Sequence, residues 1–173
     1  SGSVLNWRPI SLLCIEYKLF TDILNTNLNN ILKEYKLDPF EQNGFKKDMD
    51  TGKCIRSLIT CILDSKLNNK EIHCLFIDFF KAFDSVEHWT IEPILNHLNL
   101  KNHIKIINLI LKSTNINIIT DIGIVKPINP TSGVKRGDPI SPVLFRIFIL
   151  PLLWKLKHTK LGYPINNNFI ESL

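Results

Sequence analysis

The sequence predicts an α+β protein, helices packed on a small and mostly antiparallel sheet. Three observations lead there. Helical periodicity recurs in five separate stretches of the 173 residues. One short stretch, "EIHCLFIDF", is apolar on both alternating faces. A later stretch, "INIITDIGIVKPI", alternates around Asp121 and Gly123 as a hairpin does. Helices between strands of such unlike character do not make a doubly wound sheet.

The elements follow in order. Residues 16–35 place Tyr17, Phe20, Leu24, Leu28, Ile31 and Tyr35 at helical spacing, an apolar stripe suited to a core. Pro39 and Gly44 then interrupt the pattern. A second helix is expected from Thr51 to Leu67, with Ile55, Leu58, Ile59 and Ile62 on one face. "EIHCLFIDF" reads as a central strand, because a strand covered on both sides needs no polar face. Two helices follow, near 89–99 and 102–113, and then the hairpin. The last helix opens with Ser141 as N-cap and Pro142 in its first turn. Pro151 is expected to kink it, and Lys155 and Lys157 suit its C-terminal end. "NNNFIESL" reads as the beginning of a strand.

Composition narrows the function. A hydrophobic content of 45% supports a folded domain, and a net charge of +5 suits a nucleic-acid partner without requiring one. Cys14, Cys54, Cys61 and Cys74 form no C-x-x-C pair and sit among apolar residues, as reduced thiols of an intracellular protein do. The histidines show no zinc-ligand spacing. The apolar run "VLFRIFILPLLW" is too short to span a bilayer and carries Arg146, so no membrane partner is expected. The opening "SGSVLNWRP" has no signal-peptide core, which favours an intracellular location, nuclear or cytoplasmic, over secretion. The chain starts without Met and reads as an internal piece of a longer protein.

Asp78 poses the chemical question. A carboxylate in the run "CLFIDFFKAFDS" is costly to bury unless something compensates it. Taken singly, the candidate stretches have plain structural explanations: Asp78 as a turn cap, Phe83 as core, Gly133, Gly137 and Pro139 as shapers of a loop, Arg8 as a solvated cation.

Taken together and in order, they resemble the reverse transcriptases of LINE-type (non-LTR) retrotransposons over nearly the whole chain. "NWRPISLL" (6–13) is similar to the first fingers block and "EQNGF" (41–45) to the next. "FIDFFKAFDSVEH" (76–88) is similar to the palm block with the first catalytic aspartate. "GVKRGDPISPVLF" (133–145) is similar to the Gly-x-x-Gln-Gly-x-Pro-x-Ser-Pro-x-Leu-Phe block. The resemblance implies a right-hand polymerase fragment, fingers-type over about 1–70 and palm-type over about 71–173. It implies RNA template, DNA primer and deoxynucleoside triphosphates as partners.

It also implies roles. Asp78 and the backbone carbonyl of Phe79 would hold catalytic magnesium, two ions in the complete enzyme, which would compensate the carboxylate. Arg8, Phe83, Arg136 and Gly137 would contact the nucleotide, Phe83 as a steric gate against ribose and Arg8 on the triphosphate. Lys46, Gly133 and Pro139 would approach template or primer. Three positions depart from the family: Arg136 stands for Gln, Phe80 for a polar residue and Arg146 for Asn. The family's Asp-Asp hairpin is not in the sequence and would be expected after "INNNFIESL". The fragment alone is therefore expected to be inactive. The alternative is an inactive polymerase-derived module that binds nucleic acid or protein.

Overall fold

The computed structural model describes residues 8, 10–39, 42–46, 50–112, 115–159, 161–165 and 168–170. In it the chain forms α1 (Ile15–Glu34), α2 (Thr51–Leu67), α3 (His88–His97), α4 (Lys101–Lys112), β1 (Ile119–Thr120), β2 (Gly123–Ile124), α5 (Ser141–Thr159), β3 (Tyr163–Ile165) and β4 (Asn168–Ile170). The fold is α+β, as expected. β1 pairs antiparallel with β2, and β3 with β4. The chain divides into two compact units, one of residues 1–29 and 80–148 and one of 30–79 and 149–173. The first part of α1 and of α5 belongs to one unit and the remainder to the other.

Helix ends follow local chemistry. Asp50 caps α2, its carboxylate accepting from the Lys53 amide at 2.8 Å. α1, α2 and α3 each end on a residue in the left-handed region: Lys36 (φ 50), Asn69 (φ 48) and Asn99 (φ 59). Behind each, an amide reaches back five residues, Leu37 to Leu32, Lys70 to Ser65 and Leu100 to Leu95. This is the Schellman closure, and it satisfies carbonyls the helix leaves open.

The core of the first unit is built by α3, α4 and the start of α5. Ile91, Leu95, Ile107, Val143, Leu144 and Ile147 are all essentially inaccessible. The α4 positions Ile107, Ile110 and Leu111 recur at i, i+3, i+4, which puts them on one face. Each such side chain contributes roughly 1.5–3 kcal/mol on burial. The α1 stripe is rotated from the sequence expectation. Thr21, Leu28 and Leu32 are buried, whereas Phe20 and Tyr35 are exposed. In α2 the buried positions are Cys61 and Ser65, with Ile55 and Ile59 exposed. These helices carry apolar residues on more than one face, so neighbours, not periodicity, select the buried one.

The clearest correction concerns residues 71–79, expected as a central strand. They form no strand, and Leu75 (85% exposed), Phe76 (81%) and Ile77 (59%) face solvent. The apolar pattern permits a central strand, but a strand exists only through the ladder of a neighbour. Among the described residues no strand pairs with this segment. The hairpin is as expected, with Asp121 and Ile122 in its turn and the Ile116–Ile128 bridge extending it. Of the expected terminal strand, Asn168–Ile170 forms β4, while 166, 167 and 171–173 lie outside the described residues. α5 runs on through Pro151.

Candidate functional site

The first unit brings three of the four sequence motifs together. The tight turn after Phe80 is closed by the Asp84 and Ser85 amides donating to the Lys81 carbonyl at 2.8 and 3.0 Å. Residues 132–134 then zip onto its far side. Glu87 bridges Ser132, the Gly133 amide donates to the Val86 carbonyl at 2.7 Å, and the Val134 amide donates to the Phe83 carbonyl at 2.8 Å. His88 Nε2 donates to the Gly133 carbonyl at 2.7 Å. Gly133 is needed here twice over. Its φ is +88, and a Cβ would lie 3.3 Å from the Cα and the carbonyl oxygen of Asp84.

The loop next meets the first motif. The Ser11 amide donates to the Arg136 carbonyl at 3.1 Å. Gly137 has φ +95, and a Cβ on it would lie 3.3 Å from the Ser11 carbonyl oxygen. The Arg136 guanidinium lies 3.1 Å from the Asp84 carboxylate. Phe83 is half-buried, its ring edge-on to Phe145 with centroids 5.6 Å apart. Pro139 follows at the foot of the loop.

These segments border an open cleft of about 1150 Å³. Arg8, Lys81, Lys135 and Arg136 line it, so its wall is cationic, and Asp84 and Asp138 are its acids. Asp84 is engaged with Arg136. Asp138 is buried and takes the Tyr17 hydroxyl at 2.8 Å on Oδ2 and the Ile140 amide at 3.3 Å on Oδ1. Lys135 lies over the Tyr17 ring and donates to its hydroxyl at 3.2 Å. Burial and the hydrogen bond to Asp138 hold the Tyr17 phenol well above its usual pKa. Burial pushes Lys135 down, with Asp138 opposing.

α5 begins under this loop. The Ile140 carbonyl already accepts from the Leu144 amide, and Ser141 Oγ donates back to the Lys135 carbonyl at 2.7 Å. Ser141 thus ties the loop instead of capping the helix, as expected of it from sequence. Among the departures from the family pattern, Arg146 is buried and donates to Asn29 on α1, and burial pushes its pKa down.

Arg8, Phe83, Gly133, Arg136, Gly137 and Pro139 therefore share one unit. Asp78, Phe79 and Lys46 belong to the other. Asp78 is exposed there. Lys46 donates to the Pro39 carbonyl at 2.9 Å and lies 3.9 Å from Asp38. Asp78 and the Phe79 carbonyl are hard oxygens, the donor type magnesium takes. Yet no three His, Cys, Asp or Glu residues among those described could hold a metal together. The donor type fits and the donor number does not fit two ions.

Sequence reasoning missed Tyr17, Asp84, Lys135 and Asp138. Tyr17 was absorbed into an apolar stripe, although a tyrosine facing a core needs a partner for its hydroxyl. Asp138 is the acid inside "RGDP", and only the fold shows that it is the buried one.

The cleft gathers cations from separate motifs around glycines that admit close backbone approach, an arrangement chemically able to receive anions. Comparison with known families makes this specific. Residues 3–170 match the family described as "Reverse transcriptase (RNA-dependent DNA polymerase)", and the chain belongs to that family. It is 29% identical over 168 residues to a Pol polyprotein of the type-1 retrotransposable element R2 of Nasonia vitripennis, a match covering 95% of this chain and 15% of that protein. It is 28% identical over 166 residues to the polyprotein of the type-2 element R2DM of Drosophila melanogaster, covering 94% and 15%. Against the probable RNA-directed DNA polymerase from transposon BS of Drosophila melanogaster it is 26% identical over 147 residues, covering 85% and 16%. The chain thus spans about one sixth of the length of these relatives, and the LINE-type, non-LTR assignment expected from its motifs holds. Among the described residues no helix is long and apolar enough to cross a membrane.

Proposed function

We propose that this chain is the fingers-type (about 1–70) and palm-type (about 71–173) part of an RNA-directed DNA polymerase encoded by a retrotransposon. The parent protein adds deoxynucleotides to a DNA primer on an RNA template. The primer 3′-hydroxyl attacks the α-phosphorus of the triphosphate, the bond to the β-phosphate oxygen breaks, and pyrophosphate leaves. The parent acts inside the cell, in nucleus or cytoplasm.

The observation that supports this best is the convergence of "RPISLL", "FKAFDS" and "GVKRGDPISP" on one cationic cleft. Arg8 has the planar, fixed charge that suits a triphosphate. Phe83 is the ring assigned to exclude a ribose 2′-hydroxyl. Arg136, its charge balanced by Asp84, and Gly137 present side chain and bare backbone to the nucleotide. Gly133 and Pro139 are taken as template or primer contacts, and Lys46 separately as another. Asp78 and the Phe79 carbonyl are the donors for Mg²⁺, which neutralises phosphate charge when bound.

This chain by itself is expected to be inactive, because it contains no Asp-Asp pair and Asp78 is one carboxylate where two ions need several oxygens. Primer extension on an RNA template tests both points. The parent protein extends the primer, its Asp78→Asn form does not, and the isolated chain does not. An active Asp78→Asn parent defeats the metal assignment. A parent without extension activity leaves a polymerase-derived binding module as the reading.

A further inference from the structure

Asp138 is 4% exposed and is the most buried carboxylate among the described residues. It closes a local turn onto the Ile140 amide, but that bond alone does not offset the burial of its charge. A buried carboxylate persists only when its oxygens are occupied and a counter-charge is close. Its Oδ2 takes the hydroxyl of Tyr17, 121 residues away on α1, at 2.8 Å. Its Oδ1 takes the Ile140 amide at the root of α5. Lys135 supplies the cation, lying 4.6 Å above the Tyr17 ring and donating to its hydroxyl. The Asp138 carbonyl accepts from Ser141, and the Lys135 carbonyl from Asp138 and Ser141 Oγ. Every one of these bonds begins or ends on a residue immediately flanking Arg136–Gly137.

We infer that Lys135, Tyr17 and Asp138 form an anchor that fixes the Arg136–Gly137 backbone against the cleft. Tyr17 and Asp138 are then positioning residues for the nucleotide. The inference rests on the polymerase reading for its consequence, though not for the anchor itself. Gly137, at φ +95 with Ser11 pressed against it, is intrinsically mobile when released. An anchor on both flanks removes that freedom before a ligand arrives, and a pre-ordered loop binds more tightly than one that must be ordered. Loss of the anchor therefore weakens nucleotide binding more than it slows the chemical step.

The test uses Tyr17→Phe and Asp138→Asn, with Tyr35→Phe as control, since Tyr35 is exposed just past the C-terminal end of that helix. Tyr17→Phe keeps the ring under Lys135 and deletes only the donor. In this chain, hydrogen exchange at the Asp138 and Ile140 amides is expected to quicken about tenfold in Tyr17→Phe and to stay unchanged in Tyr35→Phe. In the parent protein, single-nucleotide incorporation is expected to show KM for the deoxynucleotide raised about tenfold in both variants, with kcat within about twofold of wild type. Unchanged exchange in Tyr17→Phe overturns the anchor whatever the parent does. Quickened exchange with unchanged KM overturns the positioning role. A parent that extends no primer, either as wild type or as Arg136→Gln, overturns the polymerase reading and leaves the exchange result to decide the anchor.

Discussion

Arg136 Nη2 lies 3.1 Å from Asp84 Oδ2, with the two side chains 22% and 30% exposed. The pair ties the glycine loop to the turn that carries Phe83, and Arg136 stands where the resemblance implies a glutamine. A partly exposed pair of this kind stabilises by only about 1 kcal/mol. Its larger effect is on charge, because Asp84 neutralises a cation that Arg8, Lys81 and Lys135 would otherwise repel. Removing Asp84 alone should therefore be worse than removing both partners. In the parent protein, primer extension is expected to fall in Asp84→Asn and to recover in the double variant Asp84→Asn/Arg136→Gln. Should Arg136→Gln alone switch on a parent that is otherwise silent, the arginine is a lesion in this copy and not a compensated substitution.

Gly133 and Gly137 should be the least tolerant glycines. Alanine at either must hold a left-handed φ, about 1–2 kcal/mol, and press a methyl group onto backbone at 3.3 Å. Losses of about 2 kcal/mol or more are expected in urea unfolding for each. Gly44→Ala is the contrast, since its φ is ordinary and its nearest neighbour is Gln42 Nε2 at 3.8 Å. That variant should be neutral or slightly stabilising. Lys36→Gly should stabilise by about 1 kcal/mol, because Lys36 closes α1 at φ 50 with a side chain that disfavours it.

How much of this was legible in the sequence depended on whether the signal was local. α1, α2, the hairpin turn at Asp121–Ile122 and the run of α5 follow from periodicity, capping and turn residues, which neighbours in sequence determine. Motif order pointed to Arg8 and Arg136, and both line one cleft. Two readings needed the fold. Residues 71–79 have the composition of a covered strand, and composition carries no information about whether a partner strand is present. The acid that is buried proved to be Asp138, not Asp78, because burial is set by what packs around a residue and not by how apolar its sequence neighbours are. Tyr17 and Asp138 stand 121 residues apart, a separation at which no spacing rule operates.

Alkaline stability should report on two phenols. The Tyr163 hydroxyl donates to Asp64 at 2.8 Å, tying β3 to α2. Burial and that bond raise its pKa from 10.0 to about 12. Between those values the unfolded chain releases the phenolic proton while the folded chain keeps it. The contribution is thus complete below pH 10 and is lost as pH rises through about 12. Tyr17 acts in the same direction and persists higher still. Urea midpoints measured from pH 9 upward should fall in the wild type, less steeply in Tyr163→Phe and least in Tyr163→Phe/Tyr17→Phe. A Tyr163→Phe curve parallel to wild type across that window would show that the Tyr163–Asp64 bond does not form in solution.

Phe83 offers the sharpest test of the nucleotide assignment. Its carbonyl is pinned by the Val134 amide and its ring rests edge-on against Phe145, so neither backbone nor side chain is free to swing aside. A ring held in this way can act as a wall. A wall, unlike a hydrogen-bonding group, discriminates by volume: it should exclude a sugar bearing a 2′-hydroxyl and ignore the base. Phe83→Val removes the ring and leaves the Val134 bond, which uses only backbone. The parent carrying Phe83→Val is therefore expected to keep deoxynucleotide incorporation within a few-fold of wild type and to accept ribonucleotides at least about tenfold better. Phe145→Leu removes the edge-on support while leaving the wall itself, so it should shift sugar selectivity in the same direction by a smaller factor. Selectivity unchanged in both variants would return Phe83 to an ordinary packing role, and a loss of all incorporation in Phe83→Val with an unchanged urea midpoint would point to a contact with the base or primer instead.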